Sequence, residues 1–308
     1  MANQSLNVTL IQPDIVWEDK PANLRQYEQY IAGIRERREV VVLPEMFSTG
    51  FSMAPEGLAE GMDGATVQWM KDIARQYRCI LTGSLIIEEE GRFLNRLVWM
   101  QPDGKYGYYD KRHLFAYARE HEHYHPGTKR LIAQVKGWKI CLQVCYDLRF
   151  PVWARQRRAG AEMRRGAEDA GSTPEHTGMS VGMRTAAGDG GNGREHTGMG
   201  TEMNAGPEYD VLLYVANWPE VRSLAWKTLL QARAIENMSY TIGVNRVGKD
   251  GKGIYHSGDS SVFGPMGELL WQRSDAAVCH TVTLDKEMMI RKRERFPFLE
   301  DADPFMIL

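Results

Sequence analysis

A thiol, a carboxylate and an ammonium, three groups able to share one reaction, each lie just beyond the carboxyl end of a predicted strand. Cys145 closes Lys139-Ile-Cys-Leu-Gln-Val-Cys145, where Ile140, Leu142 and Val144 alternate with Cys141, Gln143 and Cys145 as side chains on a strand do. Tyr146-Asp-Leu-Arg-Phe-Pro151 then predicts a tight turn into a helix, standing the thiol at a strand's carboxyl end, where open α/β sheets place their chemistry. Glu45 follows the run Glu39-Val-Val-Val-Leu43 and Pro44, and Lys111 follows the second arm of a hairpin. A carboxylate can take a thiol's proton, and an ammonium can stabilise both thiolate and oxyanion. Spacing alone leaves bland readings open: Glu45 as a helix cap, Lys111 as a surface cation, Cys145 as an inert buried thiol.

The elements that must position these groups follow a β-α-β rhythm. A strand over 6–11 precedes a helix over 22–38, with Leu24, Tyr27, Ile31 and Ile34 on one face at helical spacing. The run at 39–43 has the composition of a strand buried on both faces. A helix over 65–77 leads into a strand over 80–87, and the arms 95–100 and 105–109 flank Pro102-Asp-Gly104 as a hairpin. Another buried strand over 209–216, a long helix ending near Met238, strands at 240–245, around Ser260 and at 278–284, and a charged C-terminal segment complete the chain.

At 308 residues and 43% apolar composition, the chain suits one large α/β domain. A net charge of −2 and a pI near 6.5 create no polyelectrolyte field, so neither nucleic acid nor a membrane surface is an expected partner. A small molecule is. Four cysteines behind an N-terminus without a signal sequence point to a reducing cytoplasm, and Cys141 and Cys145, separated by roughly 13 Å on one strand, cannot bridge. The stretch 157–206 lacks aromatic residues, Leu and Ile and is expected to be a disordered insertion. Its Glu-His-Thr-Gly-Met repeat at 175–179 and 195–199 is too short of apolar anchors to stack, and its 188–193 match to a dinucleotide fingerprint neither follows a strand nor opens a helix.

Pro44-Glu45-Met-Phe47, Tyr109-Asp-Lys111-Arg-His-Leu-Phe115 and Val144-Cys145-Tyr-Asp-Leu-Arg-Phe150 resemble the three signature segments of the nitrilase superfamily of carbon–nitrogen hydrolases, within which the chain is similar to bacterial omega-amidases. The resemblance extends through Tyr214-Val-Ala-Asn-Trp-Pro219 and Ala232-Arg-Ala-Ile-Glu-Asn237. It implies a four-layer α-β-β-α sandwich, assembly into a homodimer or larger homo-oligomer, no cofactor and no metal, and hydrolysis of the terminal amide of a 2-oxo acid amide. It also implies Glu45 as general base, Lys111 as oxyanion-stabilising cation, Cys145 as nucleophile, the Tyr146 N–H as second oxyanion donor and Glu120 as an additional glutamate, with Glu122 as its rival two residues on. The alternatives are another amide, carbamoyl or nitrile hydrolase of that superfamily, or an inactive binding protein. Phe47, Phe115 and Trp218, beside the signatures, are candidates to wall a substrate pocket. His121, His123 and His125 are expected to form a polar rim rather than a metal site, and Asp147 with Arg149 a structural charge pair.

Overall fold

In the computed structural model, which describes residues 5–156, 207–303, 305 and 307, the apolar runs become two mixed sheets. β1 (Ser5–Gln12), β2 (Val40–Val42), β3 (Ile80–Glu89), β4 (Arg92–Met100), β5 (Tyr106–Asp110) and β13 (Val278–Asp285) build a six-stranded sheet in the order β13-β1-β2-β3-β4-β5. β6 (Ile132–Val135), β7 (Trp138–Val144), β8 (Val211–Val215), β9 (Tyr240–Val244), β10 (Val247–Lys249), β11 (Tyr255–Phe263) and β12 (Leu269–Ser274) build the other, ordered β10-β11-β9-β8-β7-β6 with β12 on β11. Each sheet has a parallel centre, β1-β2-β3 and β7-β8-β9, and antiparallel margins.

Strand alternation then fixes the layers. Val40 and Val42 join Leu6, Val8 and Leu10 in a core shared with Ile140, Leu142 and Val144 of the second sheet. Val41 and Leu43 turn the other way, onto Tyr27 and Ile31 of α1 (Lys20–Gly33) and Val67, Met70 and Ile73 of α2 (Ala65–Tyr77). On the second sheet's outer face, beyond the short α3 (Pro151–Ala154), Trp226 and Leu230 of α4 (Ser223–Asn237) press on β9. A last helix, α5 (Lys286–Arg295), follows β13. This is the expected α-β-β-α sandwich.

Several boundaries shift for local reasons. The first helix starts at Lys20, where the Asp19 side chain accepts the Ala22 N–H and Pro21 stands in the first turn, and stops at Gly33 because Ile34 is extended. The strand ending in the thiol stops at Val144: Cys145 has a φ of 45° and opens the 3-10 turn Cys145–Arg149. The insertion expected at 157–206, with its repeat and glycine-rich stretch, lies outside the described residues. Its flanks are joined: the Gln156 side chain donates to the Tyr209 carbonyl at 2.7 Å and accepts from the Tyr209 N–H at 3.3 Å. Arg130 reaches from Glu208 to the carbonyls of Trp153 and Arg155. Because Asp210, the residue after Tyr209, directly precedes β8 and donates its N–H to the Lys139 carbonyl, this junction is at the amino end of the parallel strands and Cys145 is at the carboxyl end.

Candidate active site

Both sheets deliver polar side chains from their strand ends into one buried cluster. Lys111, just past β5, donates its ammonium to Glu45 Oε1 at 2.9 Å and to Glu120 Oε1 and Oε2 at 3.0 and 2.9 Å. All three side chains are buried. The Lys111 backbone is held from both sides, its N–H on the Asn95 carbonyl and its carbonyl under the Gly127 N–H. Gly127 is required there, since a Cβ would lie 2.1 Å from the Asp110 carbonyl oxygen.

Asn95 on β4 completes the cluster. Its amide donates to Glu45 Oε1 at 2.8 Å and Glu120 Oε1 at 3.3 Å, while its Oδ1 accepts the Ser84 hydroxyl at 2.7 Å. Asn217, after β8, donates its N–H to Glu45 Oε2 at 2.9 Å and its side-chain amide to the Glu45 carbonyl. Asn245, after β9, brackets the next peptide: its Oδ1 accepts the Trp218 N–H at 2.8 Å and its amide donates to the Trp218 carbonyl at 2.9 Å. Neither Asn95 nor Asn245 stands out in the sequence. Their only signal is a polar residue interrupting or closing an apolar strand.

Cys145 is buried, with 9% of its surface exposed. Burial and the adjacent Glu45 carboxylate push its thiol well above the usual range, with Lys111 opposing, so the resting group is a thiol. Burial works to pull the Lys111 ammonium down, but Glu120 and Glu45 outweigh it and hold it well above its ordinary value. Burial also raises the Glu120 carboxyl, against the pull of Lys111. Tyr146 is the second residue of the 3-10 turn, leaving its N–H outside that turn's own hydrogen bonds. A protonated thiol beside a carboxylate, with an ammonium and a main-chain donor nearby, can attack a carbonyl-type carbon while shedding its proton.

The structure separates the two rival glutamates. Residues 120–122 form a 3-10 turn entered through Arg119 at φ 60°, so the two carboxylates do not share a face as they would on a strand. Glu120 is in the cluster, and Glu122 is exposed and paired with Arg119 at 2.6 Å. His121 and His125 are exposed and His123 half-buried. Among the described residues no cluster of His, Cys, Asp and Glu is placed to hold a metal. Phe47 corrects the pocket reading: its ring is fully buried on the helix side of the first sheet, 5.5 Å from Tyr27 and 6.0 Å from Trp69. Phe115 is half-buried, with its N–H on Glu120 and its ring 4.9 Å from Tyr146, and Trp218 is buried beside Asn217. Asp147 and Arg149 do not pair: Asp147 pairs with His113, whereas Arg149 is exposed and lies 5.2 Å over the Trp218 ring. No helix among the described residues is long and apolar enough to cross a membrane.

The chain is similar to known proteins along nearly its whole length. The family model for carbon–nitrogen hydrolases matches residues 7–186 and 200–293. The chain is 38% identical to the omega-amidase YafV of Escherichia coli K12 over 98% of both chains, and 25% identical to the 2-oxoglutaramate amidase of Bacillus subtilis 168 over 96% of each. Among solved structures, XC1258 of Xanthomonas campestris, a CN-hydrolase superfamily protein with an arsenic adduct in its active site, matches with a TM-score of 0.83 at 35% identity over 99% of both chains. The chain therefore belongs to the carbon–nitrogen hydrolase family of the nitrilase superfamily, hydrolases of carbon–nitrogen bonds other than peptide bonds.

Proposed function

We propose that this amide hydrolase is an omega-amidase, converting the terminal amide of a 2-oxo acid amide such as 2-oxoglutaramate or 2-oxosuccinamate to the acid and ammonia. The observation that carries the chemistry is the buried Glu45–Lys111–Glu120 contact set beside Cys145. Glu45 accepts the Cys145 proton as sulfur attacks the amide carbon, and Lys111 with the Tyr146 N–H holds the oxyanion. Collapse breaks the carbon–nitrogen bond, and Glu45 returns the proton to nitrogen as ammonia leaves. The resulting thioester is attacked by water that Glu45 deprotonates. The second collapse releases the acid and re-forms the thiol. Glu120 grips the Lys111 ammonium through both oxygens. Every proton is handled by these side chains, so the cycle requires no cofactor.

The substrate class is supported by the relatives' names and by two arginines at the rim. Arg149 lies over Trp218, and Arg222 lies 5.2 Å over Phe115 and 6.0 Å over Tyr117. Cations on aromatic faces attached to the Cys145 turn and the Glu120 loop suit a substrate with a carboxylate at the end opposite its amide. Phe115 and Trp218 belong to this rim as pocket walls.

Cytoplasmic residence fits four cysteines that are all free. A homodimer or larger homo-oligomer fits an outer helical layer exposing Val152, Val221, Leu224 and Ile235. The chain is read as one domain interrupted at about 157–206, the interruption leaving from the joined pair Gln156 and Tyr209. The functional test is ammonia release from 2-oxoglutaramate, 2-oxosuccinamate, glutamine, a carbamoyl amino acid and a simple nitrile. Preference for the first two supports the assignment. Preference for the carbamoyl compound or the nitrile would move the enzyme elsewhere in the superfamily, and inertness toward all five, with no thiol labelling protected by substrate, would favour a binding protein.

A further inference from the structure

The Asp147 carboxylate, fully buried two residues after the thiol, takes four hydrogen bonds and thereby ties the Cys145 turn to the Lys111 loop. Oδ2 accepts the Val144 N–H at 3.0 Å and the Tyr109 hydroxyl at 2.7 Å. Oδ1 accepts the His113 N–H at 3.0 Å and lies 2.8 Å from His113 Nδ1, which donates to it in the Nδ1–H tautomer. Val144 immediately precedes Cys145, and Tyr109 and His113 each stand two residues from Lys111. Tyr109 extends the tie by accepting the Arg112 N–H at 3.2 Å and Trp153 Nε1 at 3.0 Å through its hydroxyl. The His113 ring is stacked on Phe150, centroids 3.8 Å apart, which closes the bracket on the far side of the turn.

We propose that Asp147, acting with His113, is a positioning residue that sets the placement of the Cys145 sulfur relative to the Lys111 ammonium. The two groups come from different sheets, and Cys145 sits in a left-handed backbone conformation that a side-chain-bearing residue holds only when its surroundings impose it. Asp147 acts at that point, accepting the N–H on the strand side of Cys145 from within the turn. It touches neither the sulfur nor the ammonium. The proposal rests on the reading that both act on the substrate.

The test uses near-isosteric variants of the full-length enzyme. Asp147→Asn keeps the shape but has one acceptor oxygen, so its NH2 group must face either the Val144 or the His113 backbone N–H, neither of which can reverse its polarity. Turnover of the folded variant should fall roughly 100-fold, as expected for misplacement of about 1 Å, with KM held within about threefold. His113→Ala should also lower kcat, and His113→Asn, whose amide N–H can take the place of Nδ1–H, should recover most of it. Unchanged kcat in folded Asp147→Asn, a loss confined to KM, or equal effects of His113→Ala and His113→Asn would overturn the proposal. If Asp147→Asn is insoluble, the His113 pair decides. A Cys145→Ser enzyme that still releases ammonia would instead overturn the underlying reading.

Discussion

Replacing Lys111 by Met isolates the buried charge arrangement, because Met preserves the length and bulk of the side chain and deletes the ammonium. The two carboxylates it contacts at 2.9–3.0 Å would be left buried without a cation, holding the neutral Asn95 amide and the Asn217 and Phe115 N–H groups. Breaking a buried ion pair from one side costs about 3–5 kcal/mol. At about 2–4 °C per kcal/mol for a large domain, the melting temperature should fall on the order of 10 °C at pH 8. The sign of the pH dependence is also fixed. Burial already raises the Glu120 carboxyl against the pull of Lys111, so without Lys111 it rises further, and the folded variant holds a proton that the unfolded chain has released. Stability is then present at low pH and declines as pH climbs toward the raised folded value, at about 1.4 kcal/mol per pH unit for one proton. Calorimetry on both proteins from just above the ordinary carboxylate value of about 4.3 upward to pH 8 should show the gap in melting temperature widening with pH. A constant or narrowing gap, or a variant as stable as wild type at pH 8, would refute the reasoning.

Cys145→Ser should lose ammonia release by orders of magnitude while melting normally, since a hydroxyl ionises far less readily than a thiol; Cys141→Ser should be much milder in the same assay. Glu45→Gln should accumulate little thioester by mass spectrometry, because acylation and deacylation both need the carboxylate; rapid full acylation would confine Glu45 to the second half-reaction. Arg149→Ala and Arg222→Ala should each raise KM for 2-oxoglutaramate by roughly tenfold and leave a neutral amide of similar size unaffected. Replacing 157–206 by a short turn should preserve turnover, since Gln156 and Tyr209 already meet; an inactive or insoluble product would show that the segment is part of the fold.

What the sequence disclosed was governed by periodicity. Runs such as 40–42 and 211–215 are apolar on both faces, which is legible without a partner strand, and the groups just beyond strand ends, Glu45, Lys111 and Cys145, are the ones the structure brings together. Direction was harder to read. Phe47 neighbours Glu45 in sequence but points into the helix layer, because one residue of rotation in a turn changes the layer a side chain enters. The hairpins at Glu90-Gly91 and Lys136-Gly137 turn through residues that all have positive φ, yet they lack the Asn-Gly or Asp-Gly that advertises such a turn. The distinction between Glu120 and Glu122 depended on the left-handed Arg119, which no pattern of apolar residues encodes.

Because Glu45, Lys111 and Asn95 come from one sheet and Cys145 and Asn217 from the other, the hydrophobic layer between the sheets acts as the alignment surface of the site. Trimming a side chain there, for example Leu142→Ala, would let the sheets settle toward each other by a fraction of an ångström. Such a change reaches catalysis without altering any polar group. Heat or pressure that loosens this layer should therefore silence the enzyme before it unfolds either sheet, and activity would be the more sensitive gauge of how the two halves are seated.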